Sequence, residues 1–587
     1  MQILKAVVQP LIVEALATMG VENLPLDKML QPSRELAQGD LALPCFPFAK
    51  QLGMPPADIA EALVQHVGNH PAIGEVSGVK GYLNIRANPQ WLVEQLLTYG
   101  VEGNGSKQNR EVLIEHTSAN PNGPFHVGRA RNAILGDTLV RLHRLYGNEV
   151  TAEYYVDDMG KQVAVLAWAL EHLSEQDVDA QLEGKEPPNP AWKGKADHER
   201  VRWYQAAQAL RQDSENAKEI EEKIGSMVHA SEHGDEEVLA SFESAYQPVL
   251  DGMLTTLGRL GINFDRFTKE SIFVTNGDVA RLMKQLGSLD INGEADNGAQ
   301  FLDLGARGLK GKTEFFYRRG DGSSLYATRD IAYHMWKWTM KGDLINVLGE
   351  DHKLQAKQVG MTLEELGQKR PEVVFYSFIK LPEGKMSTRR GNVVFMDDLL
   401  EEAKEQAAVV VRELRPQYDE TKIGTIAEAV GTSAVRFNII KVSPEKGFTF
   451  RWEDALTFEA GSAPFIMYSH TRACSIRRRI ERDVGPIDTL LDSDIVAPEE
   501  IPNSLITLLR ILSIHQDCLE KAVNDHRPHL FAEHMLRLAN SYNAFLNECY
   551  ILSDGEVNRF YLWISETTRS VMHAGMEGLG LVALDEM

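Results

Sequence analysis

Apolar residues recur along this chain in two periods, and the alternation between them organises the middle of the sequence. Val112, Leu113 and Ile114 form a short apolar run between Glu111 and Glu115, the pattern of a strand buried on both faces of a parallel sheet. Ile134, Leu135, Leu139 and Leu142 then fall at helical spacing, which predicts a helix from about Gly128. A second strand covers 150–158, and Lys161 lies in the start of a helix reaching Leu173. Leu344 to Leu348 and Val373 to Leu381 are further apolar strands that end in polar turns. Strand and helix in alternation predict a doubly wound parallel sheet, whose ligands gather at the carboxyl ends of the strands.

The flanks carry other patterns. Residues 1–106 mix helices (3–19, 57–68, 89–98) with short strands such as Gly81–Arg86, an α+β unit that closes in the polar linker Glu102–Asn109. A catalytic unit is predicted over 110–455. Within it, 174–265 is a polar, helical insertion broken by Pro187, Pro188 and Pro190, whose charge runs read as solvated helix faces. The part from 397 to 455 is mainly helical. From 456 to 587 an all-α bundle is predicted, with helices at Pro464–Arg482, Asn503–Ala522, Pro528–Leu546 and Val557–Met576.

Between the first strand and the first long helix of the catalytic unit lies Ser118-Ala119-Asn120-Pro121-Asn122-Gly123-Pro124-Phe125-His126-Val127-Gly128-Arg129. A strand, a glycine- and proline-rich turn and a helix N-terminus make an anion site, because free N–H groups and the helix dipole point at one spot. Gly128 permits a base or phosphate close to the backbone, and His126 can donate to a phosphate oxygen. Farther on, Tyr326 and Asp330 stand four apart and share a helix face. Taken alone, Asp330 reads as a helix cap or a partner of Arg329. Gly311-Lys312-Thr313 is not a phosphate loop, since Ala306 stands where that motif needs glycine and a strand, not a helix, follows. His526, His529 and His534 lack the spacing and companion ligands of a metal site, so no metal is expected.

Composition adds limits. A net charge of −23 excludes binding nucleic acid by overall charge and leaves only local basic strips for that purpose. No window reaches the roughly 18 apolar residues of a membrane span. The first twenty residues, with Glu14 and no small-residue cleavage site, read as an amphipathic helix and not a signal peptide. Four scattered cysteines (Cys45, Cys474, Cys518, Cys549) suit a reducing cytoplasm.

The turn around His126 resembles the HIGH signature of class I aminoacyl-tRNA synthetases, and its flanks (Glu115, Ser118, Asn120-Pro121, Gly123-Pro124, Arg131-Asn132) resemble those of the arginyl-tRNA synthetase family. Lys385-Met386-Ser387-Thr388-Arg389-Arg390-Gly391, about 260 residues downstream, is similar to the family's KMSKS loop. Gly39–Lys50 resembles the family's N-terminal domain, and Tyr468–Arg479 the start of its anticodon-binding domain. The resemblance implies a class I Rossmann-type catalytic domain and an arginine–tRNA ligase using ATP, with Mg²⁺ carried by the nucleotide, L-arginine and tRNA(Arg). It further implies a monomer.

Residue by residue, the resemblance implies catalysis by His126, Lys385 and Arg389. It implies ATP binding by Phe125, His126, Gly128, Arg129, Gly349, Asp351, Lys385, Met386 and Ser387. Arginine would be bound by Glu115, Ser118, Asn120, His126, Tyr326 and Asp330, and tRNA by Tyr468, Arg472 and Arg477. The assignment to arginine is chemically sensible, because a planar, forked guanidinium is best met by carboxylates at its rim. Two positions depart from the family pattern: Arg129 replaces the second histidine of HIGH, and Thr388 the second lysine of KMSKS. Gly123 stands where some members carry a substitute lysine. Another class I synthetase, or a tRNA-binding paralogue without catalysis, is the competing reading.

Overall fold

The computed structural model describes residues 2–587 except 22–24, 34–37, 69, 102–108, 186–188, 214, 341, 381–393, 458–460 and 493–494. The KMSKS-like segment, with Lys385, Met386, Ser387 and Arg389, therefore lies outside the described residues. The chain forms two compact units, one of 1–107, 458–577 and 583–587 and the other of 108–457 and 578–582.

In the first unit a four-stranded antiparallel sheet and the helices Gln2–Thr18, Pro56–Val67 and Pro89–Tyr99 enclose a core that includes Leu4, Val8, Ile12, Phe48, Leu63 and Ile85. The same unit holds the helices Ala463–Asp483, Asn503–Ser513, His515–Asn524, Pro528–Glu548 and Arg559–Gly578. Two of these differ from the sequence pattern. The expected helix 503–522 breaks at Ile514, which packs against the core of the N-terminal sheet; Ser513 Oγ bonds back to Arg510 O (2.8 Å) at the break. The last helix begins at Arg559, not 557, because Asp554 and Gly555, both at positive φ, turn a short hairpin pairing Leu552–Ser553 with Glu556–Val557. All four cysteines are free.

The second unit is built on five parallel strands: β1 (Glu111–Glu115), β2 (Glu149–Val156), β3 (Arg266–Lys269), β4 (Asp343–Gly349) and β5 (Glu372–Tyr376). Their order is β5-β4-β1-β2-β3, so the chain reverses its direction of travel between β1 and β4. A doubly wound sheet opens a crevice there, outside the carboxyl ends of the two strands. Helix α1 (Val127–Tyr146) follows β1, and Leu135, Leu139 and Val140 bury against Val112, Ile114, Ile345 and Val347. Its approach is close: a Cβ on Gly136 would meet the His116 side chain at 2.2 Å, so only glycine lets the helix lie on that ring.

Two buried arginines fasten the unit. Arg131 on α1 donates to the carbonyls of Ser377, Ser443 and Lys446. Arg436 reaches Asp137 (2.6 Å) and Leu260 O (2.8 Å). The segment 174–265 is helical, as its polar periodicity suggested. A strand, Glu314–Arg318, follows Gly311-Lys312-Thr313, as read from the sequence. The strand expected over 373–381 stops at Tyr376 and resumes as Ile379–Lys380, with Ser377 held by Arg131 between them. Among the described residues no helix is long and apolar enough to cross a membrane.

Candidate active site

The crevice between β1 and β4 holds a cavity of about 690 Å³. The strands, α1 and the helix α2 (Tyr326–Lys337) supply most of its walls. Glu115, Ser118, Asn120, His126, Gly128, Arg129, Tyr326, Asp330, Gly349 and Asp351 all line it. Residues far apart in the chain therefore converge on one cavity. Phe125 does not line the cavity. Its side chain is buried, and its carbonyl accepts the Met396 N–H at 2.7 Å while Val127 N–H donates to Val394 O at 3.0 Å. The segment immediately after residue 393 is thus pinned to the signature turn.

The turn is locally strained. Thr117 (φ 70°) and Ser118 (φ 39°) both adopt left-handed backbone without being glycine, and such geometry persists only where its surroundings impose it. The Thr117 N–H donates to Asn132 Oδ1 (2.7 Å), Asn132 donates on to Val347 O (3.0 Å), and Ser118 Oγ accepts from Tyr155 N–H (3.0 Å). Asn120 and Asn122 both donate to Gln162 Oε1. This network aims the turn at the cavity.

His126 is the N-cap of α1 in extended backbone, with no capping bond from its own side chain. Its ring lies over Gly128, where an added Cβ would come within 3.0 Å of Nδ1. The space that Gly128 opens is therefore taken by the histidine itself. Burial, aided by the neighbouring Arg129 cation, pulls the His126 pKa down to about 4, so at neutral pH the ring is uncharged. A Cβ at Gly349 would strike Asp351 Oδ1 at 2.4 Å, which explains the glycine beside that carboxylate.

Asp330 is the fifth residue of α2, whose N-cap is Leu325, so it is not a cap. Nor does it pair with Arg329, which bonds Glu270 and Glu232 instead. Burial pushes the Asp330 pKa up, but His334 and Lys337 outweigh it and hold the carboxyl below its usual range. Glu115 receives the Lys337 ammonium at 2.7 Å.

Several lining residues escaped the sequence reading: His116, Thr117, Tyr155, Asp157, His334, Asn346, Tyr376 and Phe378. Asp157 carries a buried Oδ1 with no hydrogen-bond partner, and burial raises its pKa against the pull of Arg329. A signal did exist for Asn346, a lone amide inside the apolar run Leu344–Leu348. His334 continues the stripe Tyr326–Asp330 by another four residues.

Arg477 is tied to Glu566 (2.6 Å) and Glu481 (3.1 Å), and Arg472 bonds Asn543, while Tyr468 on the same helix is exposed. Among the described residues Asp197, His198 and Asp397 form a cluster of ligand type. The Lys195 ammonium already sits in it, 2.8 Å from Asp197 and 2.6 Å from Asp397.

The doubly wound sheet and the turn at its switch point define a class I aminoacyl-tRNA synthetase: residues 92–452 match the model for the tRNA synthetases class I (R) catalytic domain. Residues 6–87 match the arginyl tRNA synthetase N terminal domain and 466–587 the DALR anticodon binding domain. The arginine–tRNA ligase of Methanocella arvoryzae is 40% identical over 551 residues, covering 92% of each chain. That of Archaeoglobus fulgidus is 37% identical, covering 94% of this chain and 96% of its own. The solved arginyl-tRNA synthetase of Thermus thermophilus superposes with a TM-score of 0.77 at 25% identity, covering 99% of this chain and all of that one. The chain belongs to the arginine–tRNA ligase family.

Proposed function

We propose that this enzyme joins L-arginine to tRNA(Arg) in two steps within the cavity at the β1–β4 crevice. The observation that carries the reading is one cavity lined both by the carboxylates Glu115 and Asp330 and by the signature residues His126, Gly128 and Arg129. In the first step the arginine carboxylate attacks the α-phosphate of ATP, forming arginyl-adenylate and releasing pyrophosphate. Glu115, Asp330 and Tyr326 take the guanidinium, Ser118 and Asn120 the amino-acid end, and Gly349 and Asp351 the ribose side of the nucleotide. His126, as a neutral donor, contacts phosphate oxygen, while Lys385 and Arg389, with Met386 and Ser387 in the same loop, meet the charge that grows on pyrophosphate. Mg²⁺ carried by the nucleotide would offset part of the phosphate charge. In the second step the terminal ribose hydroxyl of the tRNA displaces AMP.

The match of 466–587 to an anticodon binding domain supports tRNA as partner. Tyr468 is offered for stacking on an unpaired base, and the ion-paired Arg477 meets phosphate only by exchanging partners. A cytoplasmic monomer completes the reading. Incubating total tRNA with ATP and each of the labelled amino acids tests it. Charging with arginine alone is expected, and charging with a different amino acid overturns it.

A further inference from the structure

We propose that Lys337 is a positioning residue that determines guanidinium specificity, by setting both the net charge and the donor pattern of the pocket floor; the proposal rests on Glu115 and Asp330 being the arginine ligands. The register across the sheet brings Asn346 beside Glu115, and Lys337 at the end of α2 reaches both. Its ammonium is fully buried, 2.7 Å from Glu115 Oε2, 3.1 Å from Asn346 Oδ1, and 4.2 Å from the centre of the Tyr333 ring. Three donors thus meet a carboxylate, an amide oxygen and an aromatic face, which is a complete set for an ammonium.

The consequences run along a chain of bonds. An ammonium has only donors, so Asn346 must turn its oxygen toward Lys337 and its Nδ2 away. That Nδ2 lies 2.7 Å from His334 Nε2 and donates to it. The imidazole, accepting at Nε2, keeps its proton on Nδ1, which faces Asp330 at 2.8 Å from the backbone oxygen and 3.1 Å from Oδ1. A single lysine therefore selects the amide orientation, the histidine tautomer and the donor against Asp330. Glu115, Asp330 and Lys337 together sum to one negative charge, the complement of one guanidinium. Among the described residues Glu115 Oε1 meets Ser118 Oγ at 3.4 Å and no cation, so it is the oxygen that Glu115 offers to a ligand.

The test compares K337M, E115Q and the double variant E115Q/K337M in arginine-dependent ATP–pyrophosphate exchange with tRNA present. K337M is expected to raise the KM for arginine about 30- to 1000-fold, the scale of breaking one partner of a buried pair, with the KM for ATP within about twofold of the wild type. The double variant is expected to be no worse than E115Q within about twofold, because charge and counter-charge leave together. An unchanged arginine KM in E115Q sinks the assignment of Glu115 itself. An impaired E115Q beside a K337M whose arginine KM is normal overturns the role of Lys337 alone, as does an equal rise in both KM values. Should K337M not fold, Lys337→Gln, which keeps a donor without charge, is measured in its place by the same readouts.

Discussion

The uncharged state of His126 decides what that residue can contribute. Burial of the ring and the adjoining Arg129 hold it neutral, so the phosphate contact proposed for it is a directed hydrogen bond and not a charge pair. His126→Ala is expected to slow adenylate formation by about 10²- to 10³-fold, the usual cost of one lost donor to a developing charge, while tRNA affinity stays constant. Pyrophosphate exchange and filter binding measure the two; near-normal exchange removes His126 from the chemistry. This residue was legible from the sequence because its signature is local, a turn between a strand and a helix. Its pairing with Gly128 was read differently, as room for a ligand, since nothing in the sequence says which way the ring folds.

Helix α2 carries the residues of the proposed amino-acid pocket as a stripe. Tyr326, Asp330, His334 and Lys337 follow one another at intervals of four, four and three, so they share a face. The first two stand out in the sequence; His334 continues their spacing, but it and Lys337 read as solvated, as a histidine or lysine on a helix ordinarily is. Asp330→Asn keeps the shape but turns an acceptor into a donor aimed at a cation. Leaving a charged group unpaired in a closed site costs about 2 to 4 kcal/mol, or roughly 30- to 1000-fold in kcat/KM for arginine. ATP kinetics should hardly move. Tyr326→Phe, which loses one hydroxyl, is expected to be milder, and the two variants measured side by side with arginine and ATP settle the point: unchanged arginine kinetics in the Asn variant means the pocket lies elsewhere.

At the scale of the whole molecule, long-range polar contacts hold the units together internally and set their response to acid. His116 and His515 are both buried, each with its pKa pulled by burial down to about 4 from 6.5. The unfolded chain therefore binds protons that the folded one refuses. Stability from these two residues is complete above about pH 6.5 and is lost as pH falls toward 4. Melting temperature followed from pH 7.5 to 4.5 should decline, and His515→Gln should flatten the decline; a flat wild-type profile contradicts it. Inside the second unit, Lys195 and His198 of the insertion both bond Asp397 Oδ2 at the start of the helix Met396–Leu414, the segment pinned to the signature turn. Lys195→Met leaves Asp197 and Asp397 without their ammonium and should destabilise this unit by about 3 to 5 kcal/mol, read from denaturant midpoints. By itself the sequence determined the alternating strands and helices of a parallel sheet, the turn between β1 and α1 and the shared Tyr326–Asp330 face, because each depends on periodicity or spacing within a few residues. Only the tertiary structure decided that Lys337 neutralises Glu115 and that Lys195 fills the Asp197–Asp397 cluster. Those pairs join residues 222 and 202 positions apart, through strand register and helix packing that no local pattern encodes.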